Sequence, residues 1–349
     1  IHRMKQHLIL PRNYRSVVGV RETERAIKTL KDFFELNLAT ELNLTRVTAP
    51  LFVKGGTGIN DDLNGIEKPV SFAVPDLAGA RVEIVQSLAK WKRMMLGELG
   101  FRAGFGLYTD MNALRPGERL DNTHSIYVDQ WDWERVITRP DRNVDFLKKI
   151  VHKLFSILKR TEQFIHERYP HIKPLLPEEI TFVHSEELLQ RYPKLTPRQR
   201  ETALVKERGA IFVIGIGGQM PDGTIHDGRA PDYDDWTTPC GNGNIGLNGD
   251  IILWNPVLET AFEVSSMGIR VDKETLLQQL KVRGCEERRK LLWHRRLLQD
   301  DMPLSVGGGL GQSRLCMYYL RKAHIGEIQA SQWPDAMIRT CRKHNIHLL

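Results

Sequence analysis

Between residues 22 and 42 the apolar side chains Ala26, Ile27, Leu30, Phe33, Phe34, Leu38 and Leu42 recur at intervals of three and four, the spacing of one helix face. Residues 43–50 follow as an extended segment stopped by Pro50, so a long helix feeds a strand. A loop over 55–65 leads to strand-like runs at 70–74 and 81–85, a helix over 88–99, and β-rich segments around Leu107 and over 125–136. A second long helix is predicted over 143–169, then strands at 180–184, 210–216, 250–254 and 261–270. Without an internal repeat, a linker or a break in composition, the pattern favours one α+β catalytic domain over 1–349. Its core is a large antiparallel sheet flanked by helices, with the termini 1–20 and 336–349 unassigned.

The 349 residues are 41% apolar, enough for a sizeable core, and no apolar run approaches the roughly 18 residues of a membrane span. With no apolar leader after Ile1, a cytoplasmic protein without a membrane partner is expected. Cys240, Cys285, Cys316 and Cys341 are far apart and form no Cys-x-x-Cys, which points to reduced thiols. The formal charge of +7 suits nucleic acid or anionic small molecules. Position favours the second: the densest basic run, 283–296, interleaves its cations with leucines and Trp293, as a solvated amphipathic helix would.

The chemistry concentrates in a few stretches. Gly307, Gly308, Gly309 and Gly311 precede a helix-like run whose first turn carries Arg314. There is no Gly-Lys-Ser/Thr, and Gln312 replaces the last glycine of a dinucleotide fingerprint. What remains is a Gly-rich strand end handing over to a helix with an Arg able to stack on a base or pair with phosphate, or else a plain helix entry. In 125–134, alternation sets Gln130, Asp132 and Glu134 on one face and Tyr127, Asp129, Trp131 and Trp133 on the other. The first row suits an ammonium group, unless it is only a solvated edge.

Arg115 stands at a strand end beside a Pro-Gly turn, where a triphosphate would use it. Ser87 reads as an N-cap, with Lys92 near the helix start; Lys90, Lys92 and Arg93 read equally well as solvated. Asp232, Asp234 and Asp235, with Asp250, suit magnesium held against phosphates, though turns also select aspartate. Glu263, Ser265, Ser266 and Arg270 offer a polar floor from a later strand.

The order helix–strand–proline, strand–Arg loop–strand, then Gly-rich strand–helix with Arg resembles the three motifs of class II aminoacyl-tRNA synthetases. More closely, the wording of 87–93, 127–134, 229–236, 246–250, 265–270 and 307–315 resembles the ammonia-dependent asparagine synthetases, the aspartate–ammonia ligases that share that fold. The likeness runs from about Thr45 to Trp333 and leaves the N-terminus, 117–123, 240–244 and the tail unmatched.

The resemblance implies ligation of ammonia to the side-chain carboxylate of L-aspartate through β-aspartyl-AMP, with ATP as substrate. It assigns aspartate to Asp61, Ser87, Lys92, Gln130, Asp132 and Arg270, the α-phosphate to Arg115, and adenine or phosphate to Arg314. Asp234 and Asp250 would sit at the nucleotide and Mg, with Ser266 and Arg270 lining the nucleotide; Asp61, Arg115, Gln130 and Arg314 would carry the catalysis. Apart from the resemblance, the Gly-rich loop before it makes Asp61 the candidate proton acceptor, unless neutral ammonia binds and no internal base is needed. A homodimer without a stable nucleic-acid partner follows. The alternatives are an aminoacyl-tRNA synthetase-like enzyme and a non-catalytic adenylate-binding regulator.

Overall fold

The computed structural model describes residues 8–63 and 67–349, so the end of the 55–65 loop lies outside the described residues. The central sheet has the order β1-β5-β6-β13-β12-β11-β8-β7. These strands are β1 (Leu44–Arg46), β5 (Gly106–Leu114), β6 (Tyr127–Val136), β7 (Thr181–His184), β8 (Ala210–Ile214), β11 (Asn248–Asn255), β12 (Thr260–Ile269) and β13 (Ser305–Gly311). A small sheet joins β2 (Phe52–Lys54), β4 (Ala80–Ile84) and β3 (Ser71–Val74), and β9 (Pro239–Gly241) pairs with β10 (Asn244–Ile245). The sheet is antiparallel from β5 to β8, as expected, but its two edge pairs, β1–β5 and β7–β8, are parallel.

One face of the sheet is covered by α1 (Val20–Leu42), α3 (Val144–Arg168) and α8 (Gln312–Tyr319). Leu30, Phe34, Leu38 and Leu42 of α1 are fully buried there, and Phe34 stacks on Trp131 with ring centroids 4.7 Å apart. The alternation of β6 thus sends its tryptophans into the helical layer and Gln130, Asp132 and Glu134 to the opposite face. That second face is partly covered by α2 (Ala89–Glu98), α6 (Lys273–Val282) and α7 (Leu292–Leu298); α4 (Ser185–Arg191) and α5 (Pro197–Arg208) pack at the β7–β8 edge.

Two parts differ from expectation. Residues 283–296 are not one amphipathic helix: a 3-10 turn, Glu286–Lys290, is separated from α7 by extended Leu291 at ψ 155°. The break turns Arg288 inward onto Asp62 and Asp232 instead of leaving it solvated. The unassigned tail forms α9 (Asp335–Lys343), whose Met337 and Cys341 enter the core. Among the described residues no helix is long and apolar enough to cross a membrane, and the four cysteines are free.

Candidate active site

Strand register assembles the site. Asp132 faces Gly309, Gly309 faces Ser266 and Ser266 faces Asp250, one row across β6, β13, β12 and β11. One step along, Glu134 faces Gly307, which faces Gly268. Directly opposed residues share a face, so carboxylates and a serine line up with glycines between them. The glycines are needed as space: a Cβ on Gly307 would fall 2.0 Å from Glu134 Oε2, and one on Gly309 2.2 Å from Gln130 Oε1. The Gly-rich strand therefore makes room for recognition side chains, and Gly308 and Gly309 also line the cavity.

Above this row lies a cavity of about 360 Å³. Asp61, Ser87, Arg115, Gln130, Asp132, Asp234, Ser266 and Arg270 all reach it. An adjoining cavity of about 180 Å³ shares Arg115 and Gln130 and adds Arg314 from the first turn of α8. Arg314 is held by the Glu263 carbonyl at 3.0 Å and the Thr123 carbonyl at 3.4 Å, leaving its guanidinium against the cavity. Arg115 follows the end of β5 and rests on the Gln86 carbonyl at 3.1 and 3.3 Å.

Two expected contact residues sit behind the cavity wall. Lys92 is fully buried, and its Nζ donates to Asp132, to the Trp133 carbonyl at 2.8 Å and to the Gly308 carbonyl at 3.2 Å, with Glu134 at 3.6 Å. Asp250 lies beneath Arg229, whose Nη2 donates to it at 2.6 Å. The solvated readings of Lys90 and Arg93 fail: Lys90 pairs with Asp232 at 3.2 Å, and Arg93 donates to the Pro303 carbonyl at 2.9 Å, both from buried positions. Ser87 Oγ accepts the amide of Ala89 at 3.1 Å, one position ahead of the N-cap, Leu88.

Charge is balanced closely. Arg270 binds Glu134 and Asp234, and the Arg229 Nε lies 3.2 Å from Asp234, so both Asp234 oxygens are engaged by guanidinium groups. Asp234, expected at the nucleotide and magnesium, is thus held by two arginines. Burial raises the Glu134 pKa, but Arg270 and Lys92 outweigh it and hold the group below the usual range. Burial pushes Asp132 up against the pull of Lys92. Asp250 is pushed up by burial, opposed by Arg229 and reinforced by the neighbouring Glu263 carboxylate. Asp61 rises to about 6, chiefly by burial, with Lys90 opposing and Asp232 and Asp62 adding to it.

Glu263 lines the main cavity, as its place in the expected polar floor required, and so does Arg229, which was given no role from the sequence. The signal for Arg229 was the crowd of carboxylates at 227–235 and Asp250, which needs a buried cation to be folded at all. Among the described residues no three His, Cys, Asp or Glu side chains converge as a metal cage.

The sheet and its cavity define the fold of the class II aminoacyl-tRNA synthetases. The structure resembles Pyrococcus horikoshii asparaginyl-tRNA synthetase complexed with asparaginyl-adenylate, with a TM-score of 0.65 and 16% identity over 89% of this chain and 70% of that one. For Entamoeba histolytica asparaginyl-tRNA synthetase the TM-score is 0.64, with 14% identity over 89% and 67%. The aspartate–ammonia ligase family model matches residues 21–345. An aspartate–ammonia ligase of Bacteroides fragilis is 59% identical over 343 residues, 98% of this chain and 99% of that one. One of Clostridium perfringens is 57% identical over 344 residues, 99% and 100% of the two chains. The chain belongs to the aspartate–ammonia ligase family.

Proposed function

We propose that the chain joins ammonia to the side-chain carboxylate of L-aspartate at the expense of ATP, giving L-asparagine, AMP and diphosphate through β-aspartyl-AMP. The carrying observation is the mixed-sign cavity, which Asp61, Gln130 and Asp132 line together with Arg115, Arg229 and Arg270. An amino acid with two carboxylates needs cations for those and acceptors for its ammonium, and ATP needs further cations.

A free carboxylate is a poor electrophile, so it must first attack the α-phosphate. Arg115, on its strand end beside a turn, neutralises charge building there, and Arg314 takes the adenine or the outer phosphates from the adjoining cavity. Asp132 and Gln130 accept from the substrate ammonium, with Lys92 fixing Asp132 from behind, and Arg270 takes a carboxylate. Ser87 and Ser266 supply hydroxyls to the cavity. Asp61 accepts a proton from the incoming nitrogen.

Magnesium would be held at the Asp250 side of the cavity, where Glu263 and Asp227 line the wall; Asp250 itself is paired with Arg229. Mg²⁺ is held by one or two carboxylates and completes its shell with phosphate and water; when bound it offsets phosphate charge. Asp234 fixes Arg229 and Arg270 instead. The same reading takes the chain as a single catalytic unit that pairs into a homodimer, works in the cytoplasm, and has no stable nucleic-acid partner. The test is product analysis with aspartate, ammonium and ATP: AMP and pyrophosphate should appear in equal amounts with asparagine. ADP and phosphate as the stoichiometric products would overturn it.

A further inference from the structure

Behind Asp61 lies a second cavity, of about 200 Å³. Its inner wall is formed by Asp61, Lys90, Asp232 and His294, and Asp62 and Arg288 stand at its rim. Asp61 lines this cavity and the main one alike.

The inner wall is short of donors. Asp232 Oδ2 is crowded by Lys90 at 3.2 Å, His294 Nε2 at 2.9 Å and Arg288 at 3.4 Å. Its other oxygen, Oδ1, has no hydrogen-bond partner among the described residues, and neither has Asp61 Oδ2. Both side chains are nearly or fully inaccessible to solvent, at 3% and 0% exposure. Buried carboxylate oxygens left without donors are costly, and a site that keeps them is arranged for something that supplies N–H or O–H groups. Arg288 does not satisfy them, because it is spent between Asp62 and Asp232 Oδ2. The cavity remains acidic overall, with Glu83 as a further carboxylate against the two cations Lys90 and Arg288. Gly58 keeps the space open at the ring: a Cβ there would fall 2.8 Å from His294 Nδ1.

A small cation with several N–H donors and no acceptor matches these features. We propose that this second cavity admits and binds ammonium, and that Asp61 takes its proton and passes ammonia through to the activated carboxyl. The proposal rests on the aspartate-ligating function above. One N–H bond breaks, its electron pair stays on nitrogen and the proton goes to Asp61 Oδ2. The freed lone pair forms the C–N bond at the acyl carbon, and the C–O bond to phosphate breaks with its electrons leaving on AMP. The second surplus proton leaves nitrogen for bulk water as the tetrahedral adduct collapses, giving the amide. Asp61, at about 6, is a better base than an ordinary carboxylate and regains its charge after each turnover.

Two assays separate this proposal from the function beneath it. Aspartate-dependent ATP–pyrophosphate exchange reads adenylate formation, which needs no nitrogen source; asparagine formation against ammonium concentration reads the second step. In Asp232→Asn the KM for ammonium should rise roughly tenfold or more while exchange and the KM values for aspartate and ATP are retained. His294→Gln, which loses the ring against Gly58, should move the same way. Should Asp232→Asn fail to fold, His294→Gln and the rim variant Asp62→Asn decide by the same criterion. An unchanged ammonium KM in a variant that retains exchange overturns the proposal. Wild-type protein without exchange overturns the aspartate-activating function itself, and the ammonium site with it.

Discussion

Arg270 lies fork to fork on Glu134, with Nε to Oε1 and Nη2 to Oε2 both at 2.9 Å, and both side chains are buried. Ser305 donates to the same carboxylate at 2.7 Å, so the guanidinium that lines the cavity is set by a partner that does not. The pairing fixes the plane of Arg270, and with it the direction of any carboxylate that binds there.

Glu134→Gln keeps the shape and removes the charge, which leaves Arg270 with only Asp234. Breaking one side of a buried ion pair costs about 3 to 5 kcal/mol. The variant should lose stability of that order in denaturant unfolding and bind aspartate roughly ten- to a hundredfold more weakly. Wild-type stability with wild-type aspartate affinity would remove Glu134 from the positioning role.

Arg314→Ala and Asp132→Asn should fail in different ways. Arg314 belongs to the adjoining cavity and Asp132 to the main one, beside Lys92. The loss of a charge-assisted bond is worth about 1.5 to 3 kcal/mol, or roughly ten- to a hundredfold in affinity. Arg314→Ala should spend that loss on ATP and Asp132→Asn on aspartate, as seen in titrations of each substrate. Equal losses on both substrates would contradict the separate roles.

These roles divide by how local their signals are. The β6 alternation and the Gly307 motif were legible because strand period and missing side chains act within a few residues. That Asp132, Gly309, Ser266 and Asp250 form one row depends on register between strands, one pair of them, Asp132 and Gly309, more than a hundred residues apart in sequence, which no local pattern encodes. The same limit hid Lys90, whose partner Asp232 is 142 residues away, and the inward turn of Arg288. Arg229 was passed over because a lone arginine beside several aspartates looks like a surface turn until Asp234 and Asp250 close on it.

Association is expected at an apolar patch that the fold leaves uncovered. Leu51, Phe52, Phe72 and Leu77 are all about half exposed, and the Phe52 and Phe72 rings meet edge to face at 5.9 Å on the small sheet. The apolar face of α1, a candidate for a dimer contact from the sequence, is spent inside the core, so the contact is expected on the β2–β4–β3 sheet instead. Sedimentation should give about twice the 40.1 kDa chain mass at micromolar concentration, and Phe72→Glu should shift it toward the monomer. A wild-type monomer under those conditions would contradict the assignment.

Asp61 links activity, pH and stability through one carboxyl. Its folded pKa, about 6, lies above the ordinary 3.8, with burial as the main cause; Asp232 and Asp62 reinforce it and Lys90 opposes it. Between those values the native state binds more protons than the unfolded chain, so the contribution of this group to stability falls as pH rises through the window. At neutral pH the ionised group is therefore a burden of roughly 3 kcal/mol, from about two pKa units at 1.36 kcal/mol each. Asp61→Asn removes that burden, and the variant should be more stable than wild type at pH 7 and nearly equal to it at pH 4. The same variant should lose asparagine formation far more than pyrophosphate exchange, because it cannot take a proton from ammonium. In the wild type, the rate at subsaturating ammonium should fall as pH drops below about 6, where Asp61 is already protonated. Stability of Asp61→Asn at or below wild type at pH 7, together with full asparagine formation, would show that this carboxyl is neither strained nor the base.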